Sequence, residues 1–82
     1  MWKDDIRAGK MSAEFKNKAL RIYVTNAHMD HKPDWIMHCR ELGIDTQRIP
    51  AVTSDDGLDY AKLQAVRLVK HKLYQMIASL PD

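Results

Sequence analysis

The chain has 82 residues, 45% of them hydrophobic and 29% charged, with a formal net charge of +2, which describes one soluble domain and excludes two. A domain of this size buries only roughly 60 to 65% of the surface its unfolded chain exposes, so its core must be economical and most complete enzyme folds are too large for it. No stretch approaches the roughly 18 apolar residues of a membrane span, the N-terminus lacks an apolar run of signal-peptide length, and the single Cys39 can form no intramolecular disulfide, all of which points to a cytoplasmic setting.

The first segment, residues 1–19, carries Trp2, Ile6, Met11 and Phe15 at near-helical spacing, with Ser12 placed to cap, and predicts a helix. Arg21 to Thr25, RIYVT, is rich in β-branched and aromatic residues and predicts a strand. Pro33 suits the first turn of a helix, and Trp35, Ile36, Cys39 and Leu42 then form one apolar stripe, with His38, Arg40 and Glu41 outward and Gly43 as the stop. Thr46 to Val52 predicts a short edge strand around Pro50. The clearest element is a helix from Asp59 to Leu80, with Ala61, Ala65, Leu68, Val69, Leu73, Met76, Ile77 and Leu80 at helical period. Leu63, Val66 and Tyr74 add a partial second apolar face, the pattern of a wrapped core helix or a dimer contact. Cys39 reads as a small core residue, Met11 and Met76 as packing, and Trp2, near the terminus, as an interface anchor.

The element order is thus helix, strand, helix, strand, helix, an α/β unit with parallel strands resembling half of a nucleotide-binding, Rossmann-like fold. Two strands make a poor sheet, so the unit is expected to be completed by dimerisation. The expected partner is a second copy or another protein. Charge is uneven, with net +3 over residues 1–29, −4 over 30–59 and +3 over 60–82, a magnitude well short of a typical nucleic-acid binder.

Tyr23, Val24, Thr25 and Asn26, then Lys32, Pro33, Asp34 and Trp35, then Leu42, Gly43 and Ile44, then Arg48, Ile49, Pro50, Ala51 and Val52 together resemble, in order and spacing, the N-terminal part of glycosyltransferase family 25, the lipopolysaccharide-modifying group. Its strand YVINL, its R-P-D-R segment, its L-G-I and its R-I-P-A-V-D-G fall on those positions, and the His of its later G-C-x-x-S-H motif falls on His71. The resemblance implies a single truncated glycosyltransferase-like domain over residues 1–82, with a nucleotide-sugar and Mg²⁺ or Mn²⁺ as ligands and with Asn26, Lys32, His71, Asp55 and Asp56 as contacts. It also implies little activity for the chain alone. The motif's small residues fall on Val66, Arg67 and Lys70, and the family's metal-binding and acceptor halves would lie past Asp82. A small protein-interaction or dimerisation module, regulating or inhibiting a partner, is the alternative.

A second, shorter resemblance lies in Thr25 to His31, TNAHMDH, which is similar to the T-H-x-H-x-D-H signature of metallo-β-lactamase-fold hydrolases. It implies a degenerate zinc site on His28, Asp30 and His31, residue types that ligate zinc and can converge from a loop leaving a strand.

Overall fold

The structure, a computed structural model, describes residues 1–7, 10–26, 34–53 and 57–81. Five strands come first: β1 (Trp2–Arg7), β2 (Lys10–Lys16), β3 (Arg21–Thr25), β4 (Asp34–Cys39) and β5 (Ile44–Thr53). A 3-10 turn, Arg40–Leu42, joins β4 to β5, and one long helix, α1 (Leu58–Ala78), ends the chain. The strands lie in sequence order, β1-β2-β3-β4-β5, and every neighbouring pair is antiparallel. The expected helix-strand-helix-strand-helix unit is therefore replaced by an antiparallel meander with a helix on one face. The chain supplies five strands itself and does not need a partner to complete a sheet.

Two predicted helices are strands, and the reason lies in their spacing. Residues four apart share a face both in a helix of period 3.6 and in a strand of period 2, so Trp2/Ile6, Met11/Phe15 and Trp35/Cys39 fit either. In the hairpin Trp2 pairs with Phe15 and Ile6 with Met11, and β2 pairs onward to β3 through Ala13 and Val24. In β4 the alternation decides: Trp35, Met37 and Cys39 are fully buried while Ile36 and His38 turn to the other face. The expected stripe through Ile36 is thus corrected to one through Met37. His38, Arg40 and Glu41 do lie off the core, and Leu42 is buried.

Gly43 ends the 3-10 turn at φ +70, with its N–H donating to the Arg40 carbonyl at 3.0 Å, a left-handed conformation that favours glycine. Strand β5 is longer than expected and is bulged. Its register on β4 shifts between the Met37–Gln47 and Cys39–Ile44 pairs, and in that gap Thr46 has φ +48.

The core lies between the sheet and the first half of α1. Trp35, Met37, Ile49, Val24 and Cys39 are its largest fully buried side chains, each worth about 1.5 to 3 kcal/mol by area for the larger apolar ones. From the helix come Leu58, Ala61, Ala65 and Val69. The two alanines, both completely buried, let the helix backbone approach the sheet closely. Burial pushes the Cys39 thiol up from its ordinary value, consistent with a packing role.

Candidate binding surfaces

Two surfaces remain after the core is filled. The first is the sheet face turned away from α1. Partners in register share a face, so Lys3, Glu14, Tyr23 and His38 form one row across four strands, and Asp5, Ser12, Thr25, Ile36 and Arg48 form the next. Within the first row the polar groups are connected. Arg21 Nε donates to Glu14 Oε2 at 2.7 Å, and its guanidinium carbon lies 5.3 Å from the Tyr23 ring centroid, a cation–π distance. The Tyr23 and His38 rings are 5.9 Å apart and tilted by 39°.

His38 is held from the far side by the bulge in β5. The Thr46 backbone N–H donates to His38 Nδ1 at 3.1 Å, so in the neutral ring the proton is on Nε2. Asp45 Oδ1 lies 3.5 Å from the same nitrogen. At the edge of the row Glu41 Oε1 accepts the Arg21 backbone N–H at 3.1 Å. That bond, with the N–H of Glu41 itself, holds its carboxyl below the usual range. Tyr23 stands between two shallow depressions of about 500 and 560 Å³, one bordered by Lys3, Arg7, Ser12 and Glu14, the other by Arg21, His38, Arg40 and Asp45.

The second surface is on α1. The helix returns from the end of β5 and runs past the end of the sheet where Gly43 and Ile44 lie; Leu68, His71, Lys72 and Gln75 border the depression beside those two residues. Val69 is its last buried residue, and residues 70–81 are all exposed. Leu73, Tyr74, Met76, Ile77 and Leu80 are between 37% and 72% exposed. At 100° per residue, Leu73, Met76 and Leu80 continue the same side of the helix that Ala65 and Val69 bury. The predicted core stripe is correct in direction, but sheet lies beneath only its first half.

The residues singled out by sequence are scattered. Asn26 is structural: its Oδ1 accepts the Met11 N–H at 2.8 Å and its own N–H donates to the Met11 carbonyl at 3.1 Å, closing the end of the β2–β3 pair. His71 lies on the exposed side of α1 and is hydrogen-bonded to Gln75 at 3.1 Å. It is near Ile44, which pairs with Cys39, whereas Asn26 follows Thr25, which pairs with Ile36 at the other end of the strands. The two are not brought together. Lys32, Asp55 and Asp56, and the proposed zinc ligands His28, Asp30 and His31, lie outside the described residues. Among the described residues no group of three or more His, Cys, Asp or Glu could hold a metal ion. Trp2 packs on the rim of the core against Phe15, with ring centroids 5.8 Å apart.

The helix expected over Trp35 to Leu42 hides the sheet row, because it puts His38 on a helix surface and not beside Tyr23. Period-2 alternation of Arg21, Tyr23 and Thr25, and of Ile36 and His38, was the available signal. No described helix is long and apolar enough to cross a membrane. No family model matches this chain, and no curated protein and no solved structure matches it either.

Proposed function

We propose that this chain is a protein-interaction module that presents the overhanging half of α1 to an apolar groove on a partner protein. The observation that carries it is the continuation of the helix's buried stripe past the sheet, leaving Leu73, Met76, Ile77 and Leu80 in water. A contiguous apolar patch on a helix that is already folded is the usual ligand of a helix-in-groove partner. Charge selects the kind of groove. Lys70 and Lys72 flank the stripe on either side by helical geometry, and Asp59, at the opposite end, is the one carboxylate within α1. Between Lys70 and Ala78 a second copy of the helix therefore offers the lysines no carboxylate, whereas a groove rimmed by Asp and Glu does.

The sheet edges support the same choice of surface. Strand β1 exposes Lys3, Asp4, Asp5 and Arg7, and β5 is bulged and carries Pro50, devices that discourage strand addition. Residual nucleotide-sugar binding has less support, because Asn26 is already occupied by Met11 and His71 stands at the other end of the sheet.

The test uses two amphipathic helical peptides with the same leucine stripe, one flanked by Glu and one by Lys. Amide shifts should move within residues 70–80 with the Glu-flanked peptide, at least tenfold tighter than with the other, and should vanish in a Leu73→Ser/Ile77→Ser variant. Absence of shifts in that segment with either peptide overturns the reading, and a dimer by light scattering at micromolar concentration that the same variant dissolves replaces the foreign partner with a second copy.

A further inference from the structure

Charge counted along the chain amounts to only +2, but the strands sort it by face. On the open face of the sheet the registers place Lys3, Arg7, Lys10, Lys16, Arg21 and Arg48. Against these six cations the strands put four carboxylate positions there, Asp5, Glu14, Asp45 and, by alternation with Ile36 and His38, Asp34. That face thus carries all of the molecule's net positive charge. In its middle stand the two rings of Tyr23 and His38, half-buried and opening on the two depressions described above, with the Arg21 guanidinium beside them.

We propose that this face binds single-stranded nucleic acid, with bases stacking on Tyr23, His38 and the Arg21 guanidinium, and phosphates following the surrounding lysines. The chemistry fits on two independent counts. Aromatic and guanidinium planes on an open sheet give a base a surface without needing to read its identity, and lysines around them supply the counterion-releasing contacts that dominate affinity. An acidic protein would use the lysines but not the rings. The bulge at Thr46 contributes by positioning: its amide fixes the His38 ring, and residues in strained backbone commonly sit beside working sites.

The experiment is fluorescence anisotropy with a labelled 20-nucleotide uridine RNA, a DNA oligomer of matching sequence, and a duplex of equal length. The expected result is saturable binding of the single strands at 50 mM salt, tighter than the duplex and weakening as salt rises. Tyr23→Ala should weaken it about tenfold and Tyr23→Phe by less than threefold. Lys10→Gln and Lys16→Gln should each reduce the salt slope by about 0.7. Emission from the buried Trp35 checks that each variant is folded. No saturable binding at 50 mM salt overturns the proposal. So does a folded Tyr23→Ala protein that binds within twofold of the parent, and polyglutamate displacing the RNA at equal charge concentration assigns the face to an acidic protein instead.

Discussion

The two halves of α1 have nearly the same pattern and opposite fates. From Leu58 to Val69 the apolar stripe is buried against the sheet through Leu58, Ala61, Ala65 and Val69. From Lys70 to Leu80 the stripe goes on through Leu73, Met76, Ile77 and Leu80, and every residue is exposed. The residue types differ in a telling way. The supported half uses alanines where the backbone comes close to the sheet, and the overhanging half uses large side chains that stay exposed. Helical periodicity reports which side of a helix is apolar, and it cannot report how far the opposing surface extends.

Removing the floor under the first half should have the largest effect. Trp35→Ala deletes the largest fully buried side chain and is expected to cost about 3 to 5 kcal/mol, most of the stability of a small domain. Ile77→Ala, in the other half, should change the unfolding free energy by less than about 0.5 kcal/mol. Equal effects in urea titrations would show that the overhang is packed in solution. Next in size is Ala65→Leu, which inserts side-chain volume where the helix lies closest and should cost about 1 to 3 kcal/mol. Amide exchange sharpens the contrast without mutation, since residues 61–69 should exchange through global unfolding and residues 73–79 by local fraying.

A smaller effect concerns how the supported half is tied to the edge strand. Lys62 Nζ lies 2.7 Å from Asp4 Oδ1 and 3.4 Å from Asp59 Oδ1, and 5.7 Å from the Trp2 ring centroid. Partial burial works against its charge, but the two carboxylates outweigh this and leave the amine above the ordinary lysine value of 10.5. A raised amine stabilises the fold fully below its unfolded value and loses that contribution as pH climbs through the folded one. Lys62→Met, which keeps the apolar stem, should therefore cost about 1 kcal/mol at pH 7. The difference from the parent should shrink only above pH 10.5, as thermal melts across pH would record.

The sequence made α1 and β3 legible because each has one dominant period over its whole length. It misled where the apolar residues are four apart. Trp2/Ile6, Met11/Phe15 and Trp35/Cys39 satisfy both periods, and reading them as helical converted a meander into an α/β unit. The inner members of the strands, Ala13 and Met37, would have broken the tie, since only a strand puts Ala13 with Met11 and Phe15, and Met37 with Trp35 and Cys39. The binding surfaces were hidden for a related reason. Tyr23 and His38 are 15 residues apart, and only the register of β3 on β4 makes them neighbours, while the exposure of Leu73 to Leu80 depends on where the sheet ends. Asn26 looked like a ligand contact because a polar residue after a strand can serve either purpose, and here its amide oxygen completes a backbone pairing.

The smallest expected effect tests whether the open face was shaped at a cost. Thr46 is the one described non-glycine residue with positive φ, and left-handed backbone costs a β-branched residue roughly 1 to 2 kcal/mol. Glycine removes that cost, loses the exposed Thr46 Oγ1 to Asp45 hydrogen bond of 3.2 Å, and adds unfolded-state entropy of about 0.5 to 1 kcal/mol. Thr46→Gly should therefore be stabilising by up to about 1 kcal/mol. It keeps the backbone N–H that holds His38, so RNA binding should be retained if the bulge geometry survives. A destabilised variant would show that the Thr46 side chain holds the bulge. A stabilised variant with weakened RNA binding would show that the strained conformation itself, and not merely the amide, positions the ring, which extends the comparison between supported and unsupported halves of α1 to the other face of the sheet.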